Sequence, residues 1–166
     1  SFQTGASEAA SEKMSLSSVG SLHLTGTSTT DQLLIENTEA GASSAPDLVL
    51  YRNSSSPADN DILGRIDFRG RNDNNQDVDY FLAYATATDV SDGTEDAKLQ
   101  FEAKKAGSNA QLLMLSEAEI VINEESHDID FRVESNGNSH MLFVNAGSDR
   151  VGIGDSSPAY TLELGN

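Results

Sequence analysis

Short apolar pairs spaced by two residues recur along the chain, and three groups of them share one arrangement. The first group is Met14 and Leu16, a turn at Val19-Gly20-Ser21, Leu22 and Leu24, then Leu33 and Ile35. The second is Leu113 and Leu115, a turn at Glu117-Ala118-Glu119, Ile120 and Ile122, then Phe131 and Val133. The third is Met141 and Phe143, a turn at Ala146-Gly147-Ser148, Val151 and Ile153, then Leu162 and Leu164. In each group the last pair begins nine residues after the second residue of the middle pair (24 to 33, 122 to 131, 153 to 162). A spacing of two is the strand period, in which alternate side chains point to one side of the chain. The pattern predicts a short strand at every pair. A repeat of this kind points to stacked modules rather than to a catalytic pocket. By the same equivalence, Leu24, Ile122 and Ile153 are expected at matching buried sites facing the axis of a shaft built from several chains.

Longer alternations lie between the first group and the second. Asp47–Arg52 sets Leu48 and Leu50 against Val49 and Tyr51, and Ile62–Arg69 sets Ile62, Ile66 and Phe68 against Arg65, Asp67 and Arg69. Val78–Ala87 places Tyr80, Leu82 and Tyr84 opposite Phe81, Ala83 and Ala85, and Ala97–Lys104 places Leu99 and Phe101 opposite Lys98, Gln100 and Glu102. Half-buried alternation of this sort predicts antiparallel strands. The connectors Ser54–Asp61, Arg71–Asp77 and Asp89–Asp96 are polar, turn-rich and longer than a two-residue hairpin loop. The expected organisation is a first β repeat at 1–36, an inserted antiparallel β-domain at 37–110, and second and third repeats at 111–166. Only the Ala/Glu-rich run Ala6–Lys13 suggests a helix, so the fold class is all-β.

Apolar residues make up only 37% of the 166, too few for a large private core. Apolar surface shared between chains is the expected source of stability, as in an obligate oligomer. Three ribbons wound about a common axis would bury repeated apolar pairs that one thin ribbon leaves exposed, and would also pair its strand edges. The net charge of −17 argues against nucleic acid and anionic membrane as partners, because their phosphates would repel the chain. An acidic surface suits solubility, and also a saline setting in which self-repulsion is screened. There is no cysteine, hence no disulfide framework and no thiolate chemistry. No apolar run reaches the length of a membrane span. The start at Ser1 reads as a processed chain or as one segment of a longer polypeptide.

Candidate chemistry is sparse. The run Asp73–Asp79 spaces oxygen ligands like a calcium loop, but Val78 stands where an EF-hand requires glycine and Tyr84 where it requires glutamate. A looser divalent-cation site using Asp73, Asp77, Asp92 and Asp96 stays open, beside the reading of these residues as solvated acidic loops; no other cofactor is expected. His23, His127 and His140 lack the company of a nucleophile elbow, an HExxH motif or a phosphate-cradling glycine loop. The acids sit in Ser/Asn/Gly-rich loops without the apolar neighbours that raise a catalytic pKa. No catalytic residue is expected, and the chain reads as a non-enzyme. Asn53-Ser54-Ser55 matches a glycosylation sequon without other signs of secretion.

Two further motifs are more specific. Asp149-Arg150-Val151-Gly152-Ile153-Gly154-Asp155-Ser156-Ser157-Pro158 is similar to a "RVGIGTTSP" motif, and Asp61–Gly70 is similar to an "LGxIxFxG" strand. On these residues the chain resembles tail-fibre-like structural proteins of bacteriophages, as found in marine and cyanobacterial phages. The resemblance departs at Asp155, where the family usually has threonine, and the first two repeats lack Gly-Ile-Gly. It implies an elongated, intertwined, homotrimeric β-structure on a virion, extracellular and used for host attachment. The implied partners are two further copies of the chain, neighbouring virion or fibre proteins, and a host-surface glycan or receptor. A capsid-decorating or filament-forming subunit, or a carbohydrate-binding module, are the alternative readings. Recognition by this segment would fall on the loops Ser54–Asp61, Arg71–Asp77 and Asp89–Asp96, which otherwise are acidic spacers.

Overall fold

A computed structural model describes residues 14–16, 18–27 and 31–165. The helical run expected at Ala6–Lys13 lies outside the described residues. The chain divides into two compact units, Ser1–Val49 and Leu50–Asn166. The described residues contain strands and turns and no helix, so the chain is all-β.

In the first unit, β1 (Met14–Leu16) and β2 (Leu22–Leu24) pair antiparallel, Met14 opposite Leu24 and Leu16 opposite Leu22. Gly20, with φ of 84°, supplies the left-handed turn residue between them. The strand expected at Leu33 and Ile35 does not form. Both residues are exposed, and the segment that follows bonds to itself: Asn37 Oδ1 accepts from Glu39 N at 2.8 Å and Glu39 Oε1 from Gly41 N at 3.2 Å. An apolar pair becomes a strand only where a neighbouring ladder takes its backbone groups.

The second unit opens with a five-stranded antiparallel meander. Its strands are β3 (Asp61–Arg71), β4 (Asp77–Asp89), β5 (Asp96–Lys105), β6 (Ser108–Ser116) and β7 (Ile120–Ile122), each beside its neighbour in sequence. The alternations at 62–69, 78–87 and 97–104 all fall within these strands. The one expected at Asp47–Arg52 does not become a strand. There the side chain of Arg52 replaces backbone pairing: Nη1 donates to Ile62 O at 3.4 Å and Nη2 to Asp61 Oδ1 at 2.8 Å. β5 and β6 join through Ala106 and Gly107, with φ of 49° and 87°, between the paired Lys105 and Ser108. Positive φ at both central residues gives a two-residue hairpin the twist of its strands.

A second sheet has the order β11-β10-β9-β8, from β8 (Phe131–Val133), β9 (Leu142–Asn145), β10 (Arg150–Ile153) and β11 (Leu162–Leu164). β8–β9 and β9–β10 are antiparallel, whereas β10–β11 is parallel, with Val151 opposite Leu162 and Ile153 opposite Leu164. The last pairs of the three repeat groups thus have different fates. Leu162 and Leu164 join β10, Phe131 and Val133 join β9, and Leu33 and Ile35 join no strand. In the single chain Ile122 and Ile153 keep 46% and 41% of their surface exposed.

Register separates the five-stranded sheet into two unlike faces. One carries the rows Phe68, Phe81, Ala103, Ala110; Ile66, Ala83, Phe101, Leu113, Ile122; and Gly64, Ala85, Leu99, Leu115, Ile120. No polar side chain interrupts them. The other face carries Arg65, Tyr84, Gln100 and Met114 in one row and Asp67, Leu82, Glu102 and Gln111 in the next. A bulge between Ile62 and Gly64 moves Ile62 opposite Thr86, onto the polar face, away from Ile66 and Phe68. Among the described residues the buried apolar side chains are Leu82, Ala87, Ala110 and Phe143, and no large side chain is fully enclosed. Neither sheet covers a core of the usual kind.

Candidate functional site

The polar face is held by hydrogen bonds between neighbouring strands. Tyr84 on β4 donates its hydroxyl to Glu102 Oε1 on β5 at 2.5 Å, and Asn109 on β6 donates to Glu102 Oε2 at 2.9 Å. Burial, the hydrogen bond and the Glu102 charge together push the Tyr84 phenol up to about 12. One step along the strands, Gln100 donates through Nε2 to Gln111 Oε1, and both residues are buried. Gln111 N donates to Glu125 Oε2 at 2.7 Å, and Glu125 lies 3.3 Å from His127 Nε2. The loop after β7 is thereby tied to the free edge of β6, with Lys105 Nζ reaching Asp128 O at 2.5 Å.

Where the polar face meets the β3–β4 and β5–β6 turns, an open cleft of about 630 Å³ is lined by Arg65, Asn72, Asp79, Tyr80, Lys104 and Asn109 among others. Its charges are largely satisfied within the sheet. Arg65 pairs with Asp67 at 2.7 Å and Arg69 with Asp79 at 2.6 Å. The hydrogen bond from Arg69 holds the Asp79 carboxyl below its ordinary range. Tyr80 donates to Arg71 O at 3.5 Å, with its ring edge against Gly70, so it stands as part of the hairpin end. The lining holds no nucleophile oriented by a base and a third group.

The four acids considered for a cation lie at two separate places. Asp73 and Asp77 flank the β3–β4 turn, where Asp77 pairs with Arg71 at 3.3 Å. Asp92 and Asp96 flank the β4–β5 turn, at the far end of β4, roughly 40 Å away at the ordinary strand rise. Among the described residues no three His, Asp or Glu side chains are grouped to hold a metal ion. Asp89, close to that second turn, accepts from Ser91 N at 2.7 Å, and its bonds to Ser91 hold its carboxyl below the ordinary range. Of the three expected recognition loops, two meet. Val90 N donates to Asp59 Oδ1 at 3.1 Å and Asn60 N to Ala87 O at 2.7 Å, which joins Ser54–Asp61 to Asp89–Asp96. Arg71–Asp77 lies at the opposite end of the sheet.

The histidines have structural company. His140 packs edge-on against Phe143 with ring centroids 4.9 Å apart and meets Ser139 Oγ through Nδ1 at 2.9 Å. The backbone of His127 is held at both ends by the amide of Asn123. In the third group, Gly154 N reaches both His140 O and Met141 O, and Asp155 accepts from Ser157 N at 2.8 Å. The side-chain oxygen that threonine offers a turn is therefore also supplied by aspartate at 155.

The feature with the greatest consequence is the apolar face. Phe68 and Phe81 meet edge-on with centroids 5.7 Å apart, and Phe81 and Phe101 stand 6.4 Å apart, forming one aromatic cluster. Around it Phe68 is 58% exposed, Ile66 47%, Leu99 37% and Ile120 70%. The alternations at 62–69, 78–87 and 97–104 announce most of this face, but its continuity comes from cross-strand register, which alternation within single strands does not carry. Comparison with protein-family models finds no match, and a comparison with curated proteins finds none either.

Proposed function

We propose that this chain is a non-catalytic structural segment of a bacteriophage tail fibre, assembled as a homotrimer on the virion and contributing to host attachment. The observation that carries the reading is the shortage of interior. Four apolar side chains are buried among the described residues, two of them alanines, while long runs of strand keep apolar side chains in solvent. A folded chain with so little enclosed surface gains its stability from surface shared with other chains. The motifs at Asp149–Pro158 and Asp61–Gly70, similar to those of tail fibres, supply the biological setting. The fibre character, elongated with intertwined β repeats, belongs to the same reading.

Sedimentation equilibrium combined with electron microscopy of the purified chain tests it. The expected result is a particle of three times the 17.7 kDa chain mass, longer than it is wide. A folded monomer at micromolar concentration would overturn it. Open-ended polymers would transfer the reading to a filament-forming subunit.

A further inference from the structure

We propose that the apolar face of the β3–β7 sheet is the surface on which copies of this chain meet, each copy laying this face against the same face of its neighbours. The inference rests on the structural reading above and assigns it a surface. Three rows of side chains cross the sheet without one polar group, while the reverse face carries the Arg65–Asp67 pair and the hydrogen-bonded Tyr84 and Gln100 rows. Four strands about 4.8 Å apart, each contributing about five or six residues at 3.3 Å, together with the three residues of β7, give roughly 400 Å² before side-chain relief is added. That is the size of the largest patch on an ordinary monomer and about half of one partner's share of a standard stable interface.

The chemistry of the face selects its occupant. A basic partner would be drawn to a chain of net charge −17, but the three rows carry no charge for such a partner to answer. An anionic lipid surface would be repelled by the same charge. Another copy offers an apolar surface of the same extent, and it offers relief that fits. The small side chain of Ala83 on β4 lies low between Ile66 on β3 and Phe101 on β5, and Ala85 lies low beside Leu99 with only Gly64 on its other side, while Phe68 and Phe81 rise next to them. Ridge and trough on one surface are what self-packing requires. Within the unit, Leu50 already shows the mode of contact. It lies so close over Gly64 that a Cβ there would come within 2.8 Å of it, and it still keeps half of its surface exposed.

The dimensions accommodate three copies. Five strands span about 19 Å from first axis to last, and a triangular prism with that side has its axis about 5.5 Å from each sheet. Half of the usual separation of packed sheets is about 5 Å, so side chains from three such faces would fill the space. Leu99 and Phe101, on the central strand, would point at the axis.

The absence of cysteine makes the test direct. Leu99→Cys places one thiol on the apolar face, and Lys98→Cys, one residue away, places it on the polar face. Each full-length variant is oxidised or treated with a short bismaleimide, and its mass is read on denaturing gels. Covalent multimers from Leu99→Cys at least tenfold in excess of those from Lys98→Cys are expected. Equal yields, or multimers from Lys98→Cys alone, in a protein that still sediments as an oligomer, would overturn the assignment of this face and leave the fibre reading standing. A folded monomer in the unmodified protein would overturn both.

Discussion

Tyr84 shows how a single side chain registers the polar face. Its hydroxyl lies 2.5 Å from Glu102 Oε1, and ionising it would place two negative charges side by side in a half-buried setting. Its pKa is pushed up to about 12 from an ordinary 10.0. Because the folded state holds this proton more tightly than the unfolded state, the stability it contributes is fully present below pH 10. It is lost as pH rises through about 12. Absorbance titration should therefore show one tyrosine ionising near pH 12, and Tyr84→Phe should flatten the loss of stability between pH 10 and 12. A titration with every tyrosine near pH 10 would remove the Glu102 interaction. Asp79 acts at the other end of the scale. Its carboxyl is held below 3.8 by Arg69, so its contribution is present at neutral pH and lost as pH falls through that lowered value. Alternation placed Tyr84 on a face with Leu82 correctly. It did not say that Glu102 would stand opposite, because that follows from the pairing of β4 with β5.

Between strands, the tightest constraint is the parallel pair β10–β11. Parallel neighbours usually need a connection of a dozen or more residues, and this one uses only 154–161. Gly154 turns the chain at φ of 73°, Asp155 caps the bend through Ser157 N, and Arg150 Nη1 holds Pro158 O at 2.9 Å. Gly152 faces inward, where a Cβ would stand 2.4 Å from Asp155 O, a backbone atom that cannot swing away. Gly152→Ala should therefore cost about 1–3 kcal/mol and lower the melting temperature by several degrees. Gly137→Ala, whose Cβ meets nothing within 4 Å, is the control and should change little. Equal melting temperatures for the two variants would show that the turn relaxes around the added methyl. The Gly-Ile-Gly was legible as a special backbone, but the parallel pairing it permits was not. Strand period locates apolar pairs without naming their neighbours. For the same reason Leu33 with Ile35 and Leu48 with Leu50 read as strands yet find no ladder. The β5–β6 hairpin leaves a weak sequence signal, because Ala106 takes a left-handed conformation usually given to asparagine or glycine.

In the proposed homotrimer, charge and apolar surface pull in opposite directions, and salt separates them. Each copy carries −17, so three copies brought together repel over any distance that the Debye length allows. That length falls from about 10 Å at 0.1 M to about 3 Å at 1 M salt. The three apolar rows have no charge to screen, and the pairs Arg65–Asp67 and Arg69–Asp79 lie within one chain and are partly exposed. Exposed pairs of this sort contribute little to stability, so weakening them in salt costs little. Repulsion between copies outweighs that loss, and association should tighten as salt rises. Sedimentation velocity at a series of protein concentrations, in 0.1 M and in 1 M NaCl, should show the assembly midpoint moving to lower concentration in the higher salt. A midpoint that moves the other way would mean that ion pairs between chains hold the assembly, and the apolar face would then lose its place as the contact. Composition alone foretold the repulsion. That three uncharged rows gather on one side of one sheet follows only from the register of five strands.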